Sequence, residues 1–92
     1  MVELPSAVLF ACTMNSVRSP MAEGILKFLH GTRIYVDSTG VRASEVDGFA
    51  VAVMDEIGID IASHKPKAFE ALEDSNFDLI ISLSPEAQHR AI

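Results

Sequence analysis

Ala7-Val8-Leu9-Phe10-Ala11-Cys12 continues as Thr13-Met14-Asn15-Ser16-Val17-Arg18-Ser19-Pro20, and this stretch decides the fold. Its first half carries a short, unbroken apolar run, Ala7 to Ala11, and Ser6 to Ala11 is the first strand candidate, suited to burial on both faces of a parallel sheet. Its second half is polar and ends in Ser19-Pro20, which read as a helix cap and first helical position. Strand, loop and helix start therefore follow one another, with the thiol of Cys12 at one end of the loop and the guanidinium of Arg18 at the other. Backbone N–H groups in such a loop, together with the helix N-terminus, favour an anion. The same field favours the thiolate form of Cys12.

Outward from this segment the pattern repeats. A helix is expected over Ser19 to His30, with Met21, Ile25, Phe28 and Leu29 as its apolar stripe and Gly31 as its stop. A short second strand is expected over Arg33 to Asp37, then a turn at Ser38-Thr39-Gly40. A second helix is expected from Gly48 to Ile57, capped by Asp47 and ended by Gly58, with Phe49, Val53 and Ile57 at spacing four beside Ala50 and Met54. Ile59 to Pro66 reads as irregular, and Lys67 to Asp74 as a short helix. Asp78 to Leu83 reads as a third buried strand, and Ser84 with Pro85-Glu86-Ala87 as a cap and first turn. The order β-α-β-α-β-α predicts an α/β fold, a small parallel sheet flanked by helices, with ligands beyond the carboxyl ends of the strands, where Cys12 sits.

Composition narrows the chemistry. Ninety-two residues make one domain, 1–92, and 49% of them are hydrophobic, which excludes a disordered chain. A net charge of -6 argues against nucleic-acid or membrane-surface partners, so the electropositive loop is a local feature. A single cysteine leaves no internal disulfide and no multi-cysteine metal site, and a free thiol fits a reducing cytoplasm. No cofactor or metal is expected. The N-terminus carries no basic region and no long apolar run, so neither a signal peptide nor a membrane span is read there.

The sequence resembles the low-molecular-weight protein tyrosine phosphatases, a family that includes the thioredoxin-coupled arsenate reductases. Cys12 through Pro20 carries its C-x5-R-S-P signature, continued by Met21-Ala22-Glu23-Gly24. Val36-Asp37-Ser38-Thr39-Gly40, Glu56-Ile57-Gly58-Ile59-Asp60 with Ser63-His64, and Phe77-Asp78-Leu79-Ile80-Ile81 match further segments in order. The resemblance implies a phosphomonoester hydrolase acting on protein phosphotyrosine or a small aryl phosphate through a phosphocysteine. Cys12 would be the nucleophile. Backbone N–H groups over Thr13, Met14, Asn15, Ser16, Val17 and Arg18 would hold phosphate or another oxyanion, and Arg18 would clamp two of its oxygens. Ser19 would donate to the Cys12 sulfur. Asn15 would adopt a left-handed conformation and be held by Ser19, Ser38 and His64.

The resemblance also implies a departure. The family's general acid belongs to an Asp-Pro segment near the C-terminus of a longer chain, and no Asp-Pro occurs among these residues, so no general acid is assigned here. Asp37, Asp47, Asp55, Asp60, Asp74 and Asp78 fall in segments with other assignments. The sequence is thus expected to correspond to an N-terminal portion ending before the fourth strand of a 2-1-3-4 sheet, with the third strand left as an apolar edge open to a second copy. Met14 stands where the family often has glycine, Val17 where many relatives have a second cysteine, and Leu83-Ser84 where Met-Asp is common. Thr13 and Ser16 lean toward the arsenate reductase form of the loop, so arsenate reduction with external thiols is the second reading and an inactive phosphate-binding module the third. His30 and His89 are read as helix-end or surface residues, Met21 and Met54 as core, Glu70 to Asp74 as a solvated face, and Lys65 and Lys67 as residues with at most an accessory pull on phosphate.

Overall fold

The computed structural model describes residues 4–72 and 76–91. Three parallel strands form one sheet in the order β2-β1-β3: β1 is Ala7–Cys12, β2 is Tyr35–Gly40 and β3 is Leu79–Ser82. Three α-helices accompany them, α1 (Arg18–His30), α2 (Gly48–Glu56) and α3 (Pro85–Ala91), with one short 3-10 turn over Phe69–Ala71. The alternation of strand and helix expected from the sequence is the one observed.

β1 is central because its apolar run needs cover on both faces. Val8 through Cys12 are all buried. Val8 and Phe10 join Ile34 and Val36 in one core cluster, with Ala22, Leu26, Ile81 and Leu83 packed on it. A second cluster of Ala50, Met54, Ile59 and Ile61 is joined by Met21, Val46 and Val51. α1 lies between the two. Ala22 and Leu26 meet the first cluster, and Gly24 faces the second so closely that a Cβ would fall 2.9 Å from Ile61 Cγ2.

Several expectations about faces and strand ends are corrected by tertiary contacts. Phe28 and Leu29 are 67% and 62% exposed, so the expected α1 stripe is not the buried face. Ser19, Pro20 and Glu23 are buried instead, because Ser19 and Glu23 have polar partners beneath the helix and their bonds set its rotation. On α2, Phe49, Val53 and Ile57 are likewise exposed while Ala50 and Met54 are buried. Ser38-Thr39-Gly40 is strand rather than turn, since the parallel register carries β2 up to Cys12↔Gly40. β3 is not the buried strand its apolar run suggests; it lies at the edge with Leu79 and Ile80 about half exposed, as the strand order expected from the resemblance implies.

The helix ends vary. Ser19 does not cap α1; Val17 occupies that position without a side-chain bond. Asp47 does cap α2, accepting from the Ala50 N–H at 3.0 Å, and Gly58 with φ 80° ends it. Ser84 caps α3 through the Ala87 N–H at 3.1 Å. The short helix expected from Lys67 shrinks to Phe69–Ala71, and its expected end at Glu73-Asp74 lies outside the described residues. No helix among the described residues is long and apolar enough to cross a membrane.

Candidate active site

The loop 13–17 joins the end of β1 to α1 at the carboxyl edge of the sheet. Its carbonyls are turned outward by the segment that follows β2. Val41 N–H donates to the Cys12 carbonyl at 3.2 Å, Arg42 N–H to Thr13 at 2.9 Å, Ser44 N–H to Met14 at 3.1 Å and Asp47 N–H to Ser16 at 2.8 Å. Four of the carbonyls from Cys12 to Ser16 are thus engaged by residues 41–47, while the Asn15 N–H turns to the Cys12 sulfur. The last strand position before the segment must be small: a Cβ on Gly40 would lie 2.7 Å from both the Asn15 nitrogen and the Arg42 carbonyl oxygen.

Cys12 Sγ is buried at the foot of this loop. The Ser19 hydroxyl lies 2.9 Å from it, and the Asn15 N–H donates to it at 3.3 Å. Burial works against the thiolate, but the Ser19 hydroxyl and the backbone N–H groups of Ser19, Asn15 and Met14 outweigh it and hold the thiol below its ordinary value. Ser19 has one proton to give. The Thr39 carbonyl competes for it at 3.3 Å, and a thiolate at shorter range is the stronger acceptor.

Asn15 is the hub behind the loop. It is fully buried with φ 52°, a left-handed conformation that asparagine tolerates better than most residues. Its Nδ2 donates to Ser19 Oγ at 2.8 Å and to Ser38 Oγ at 3.0 Å. Its Oδ1 accepts the Lys67 N–H at 2.9 Å and lies 3.0 Å from His64 Nε2. Because Oδ1 is an acceptor, His64 carries its proton on Nε2. His64 Nδ1 then faces Glu23 Oε1 at 3.6 Å, and Glu23 Oε1 also accepts the Ser38 hydroxyl at 2.5 Å. Burial, the largest influence, lowers the basicity of His64; Glu23 and Asp37 oppose it and Lys67 adds to it.

The sequence-predicted set of Cys12, Asn15, Ser19, Ser38 and His64 is thus brought into one network. Arg18 stands at the loop's far end, exposed, with Nη1 donating to the Leu83 carbonyl at 2.5 Å. Sequence reading missed Glu23, which also pairs with Lys27, and the main chain of Lys67. The signal for Glu23 was present, since residues four apart share a helix face and Ser19 to Glu23 is such a pair. Lys67 faces Asp37 at 2.6 Å rather than the loop. A cavity of about 320 Å3 opens behind the network, against Glu23, Lys27, His64 and Lys67, and no residue from 12 to 18 lines it.

Several aspartates are engaged elsewhere. Asp47 caps α2, Asp60 accepts the Ala62 N–H, and Asp78 accepts the N–H groups of Ser6 and Ala7. Asp74 lies outside the described residues.

A sequence profile described as "Low molecular weight phosphotyrosine protein phosphatase" matches residues 7–92. The glutaredoxin arsenate reductase of Synechocystis sp. is 42% identical over 76 residues, covering 83% of this chain and 58% of that protein. Among solved structures, an arsenate reductase in its phosphate-binding state superposes with a TM-score of 0.79 at 37% identity, covering 95% of this chain and 72% of that one. The low molecular weight protein tyrosine phosphatase from T. tengcongensis gives 0.75 at 36%, covering 91% and 62%. The chain spans less than two thirds of the Synechocystis relative's length.

Proposed function

Because this chain belongs to the low molecular weight phosphotyrosine protein phosphatase family, we propose that it hydrolyses phosphomonoesters, with protein phosphotyrosine or a small aryl phosphate as substrate. The observation that carries this reading is the Cys12 sulfur held beside the Ser19 hydroxyl at 2.9 Å, at the foot of a loop whose carbonyls face away. Cys12 thiolate attacks phosphorus in line, the P–O bond to the alcohol breaks, and a phosphocysteine forms. Loop N–H groups and the Arg18 fork stabilise the equatorial oxygens as their charge rearranges. Water then attacks phosphorus, and the Ser19 hydroxyl stabilises the departing thiolate. No residue of this chain is assigned as general acid. A general acid contributes about 10²–10⁴-fold, least for a leaving group such as p-nitrophenolate. A free thiolate nucleophile fits a reducing compartment such as the cytoplasm.

The test is p-nitrophenyl phosphate hydrolysis by the chain beside its Cys12→Ser variant, with phosphate binding measured in both. Turnover lost and binding kept supports the reading; turnover unchanged by the substitution removes it.

A second reading, arsenate reduction, is favoured by the names of similar proteins, an arsenate reductase from Synechocystis sp. and a structure in a phosphate-binding state. The same cradle would hold arsenate. Cys12 is the only thiol in these 92 residues, and this reading takes its reducing equivalents from an external thiol. Arsenate-dependent consumption of glutathione or thioredoxin, without p-nitrophenol release from the ester, would select it.

A further inference from the structure

The corner where β3 passes into α3 grips both ends of the oxyanion loop. The Leu83 carbonyl accepts Arg18 Nη1 at 2.5 Å, and Ser84 Oγ accepts the Thr13 hydroxyl at 3.1 Å. Thr13 directly follows the nucleophile, and Arg18 closes the loop. The Leu83 carbonyl and the Ser84 nitrogen belong to one planar peptide unit, so whatever fixes Ser84 also fixes the direction of that carbonyl.

Ser84 is well fixed. It is only 8% exposed, and its Oγ also accepts the Ala87 N–H at 3.1 Å. Leu83 N–H donates to the Ala11 carbonyl at 2.7 Å, and the Leu83 side chain packs on the Val8 cluster. Arg42 reinforces the corner from the opposite side. Its N–H bonds the Thr13 carbonyl, while its guanidinium makes two bonds, at 3.0 and 3.2 Å, to Glu86 in the first turn of α3.

From this arrangement we infer that Ser84 is a positioning residue, which holds Thr13 and the Leu83 carbonyl together and thereby sets the Arg18 guanidinium relative to Cys12. The inference rests on the oxyanion chemistry proposed for the loop. Ser84 itself touches neither the sulfur nor the anion; its effect is on the affinity for the anion and not on the state of the thiol.

The experiment measures inorganic phosphate affinity and the pH dependence of Cys12 alkylation by iodoacetamide in the wild-type chain, Ser84→Ala, Thr13→Val, their double variant and Ser84→Thr. Thr13→Val breaks the same hydroxyl pair and leaves the α3 cap intact. Ser84→Ala and Thr13→Val are each expected to weaken phosphate about fivefold, the factor one neutral hydrogen bond supplies. The double variant is expected to be no weaker than either single, Ser84→Thr to restore affinity, and the alkylation profile to stay fixed throughout. Unchanged affinity in Ser84→Ala or Thr13→Val overturns the inference. So does an alkylation profile that moves with affinity, because that marks general loosening of the loop. A wild-type chain that binds no phosphate overturns the loop's proposed chemistry, and the inference with it; a wild-type chain that binds while Ser84→Ala binds equally overturns the inference alone.

Discussion

Cys12 Sγ and Ser19 Oγ face each other at 2.9 Å across the first turn of α1, and the Asn15 side-chain amide donates to that same Ser19 oxygen at 2.8 Å. The amide occupies a lone pair of the hydroxyl and leaves its proton for the sulfur. Asn15 thus orients Ser19, and the Ser19 hydroxyl favours the thiolate form of Cys12.

Ser19→Ala removes that donor without disturbing a helix cap, because Ser19 is not one. The Cys12 thiol is expected to rise toward its ordinary range, and turnover of p-nitrophenyl phosphate at neutral pH to fall about tenfold or more, the value of one hydrogen bond to a charged group. Iodoacetamide alkylation followed against pH reads the change directly. An alkylation profile identical to wild type would show that burial and backbone N–H groups alone set the thiol.

Asn15→Ala breaks bonds to Ser19, Ser38 and His64 and the one from the Lys67 N–H. It also places alanine at φ 52°. Buried polar groups left unpaired and a strained backbone cost together about 3–5 kcal/mol. Urea unfolding should show a loss on that scale, accompanied by loss of phosphate binding.

Gly40→Ala pushes a methyl to within 2.7 Å of the Asn15 nitrogen. Backbone must move, and overpacking of this kind costs about 1–3 kcal/mol. Phosphate affinity should fall more than stability does, since the displaced atom is part of the cradle. Amide spectra recorded with and without phosphate distinguish the two effects.

The pH dependence follows from two groups of the same sign. His64 is held below the ordinary histidine value of 6.5, chiefly by burial. As pH falls below 6.5 the unfolded chain takes up the proton first, so stability drops until folded His64 titrates as well. Cys12 is held below its ordinary 9.0; between its folded value and 9.0 the unfolded chain again holds more protons, so stability rises with pH across that window. Urea midpoints at about pH 7.5 and about pH 5.5 should therefore fall further for wild type than for His64→Gln, which keeps a donor for Asn15 and does not titrate. An equal fall in both would remove His64 from the pH response.

The sequence placed the residues of the candidate site better than it placed the packing. Cys12, Arg18 and the strand before them were legible because an apolar run, a loop and a helix start leave local marks. Asn15, Ser38 and His64 came only through the resemblance, since nothing in their neighbourhoods reveals contacts spanning 23 and 49 residues. The helix faces were misread because Ile25-Phe28-Leu29 and Phe49-Val53-Ile57 have the right spacing for burial, while the polar partners of Ser19 and Glu23 decide which way α1 turns. Pairing with β1 likewise overrode the turn signal in Ser38-Thr39-Gly40. The outward carbonyls and the Leu83-Ser84 grip are main-chain relationships that no side-chain pattern records.

The measurement that bears most directly on the proposed chemistry is p-nitrophenol release from p-nitrophenyl phosphate by the chain and by Cys12→Ser under identical conditions. The expected result is release by the chain and a loss of at least ~10³-fold in the variant, with inorganic phosphate still bound by both. Equal release by the two proteins, or none by either, would contradict a thiolate nucleophile working in this loop.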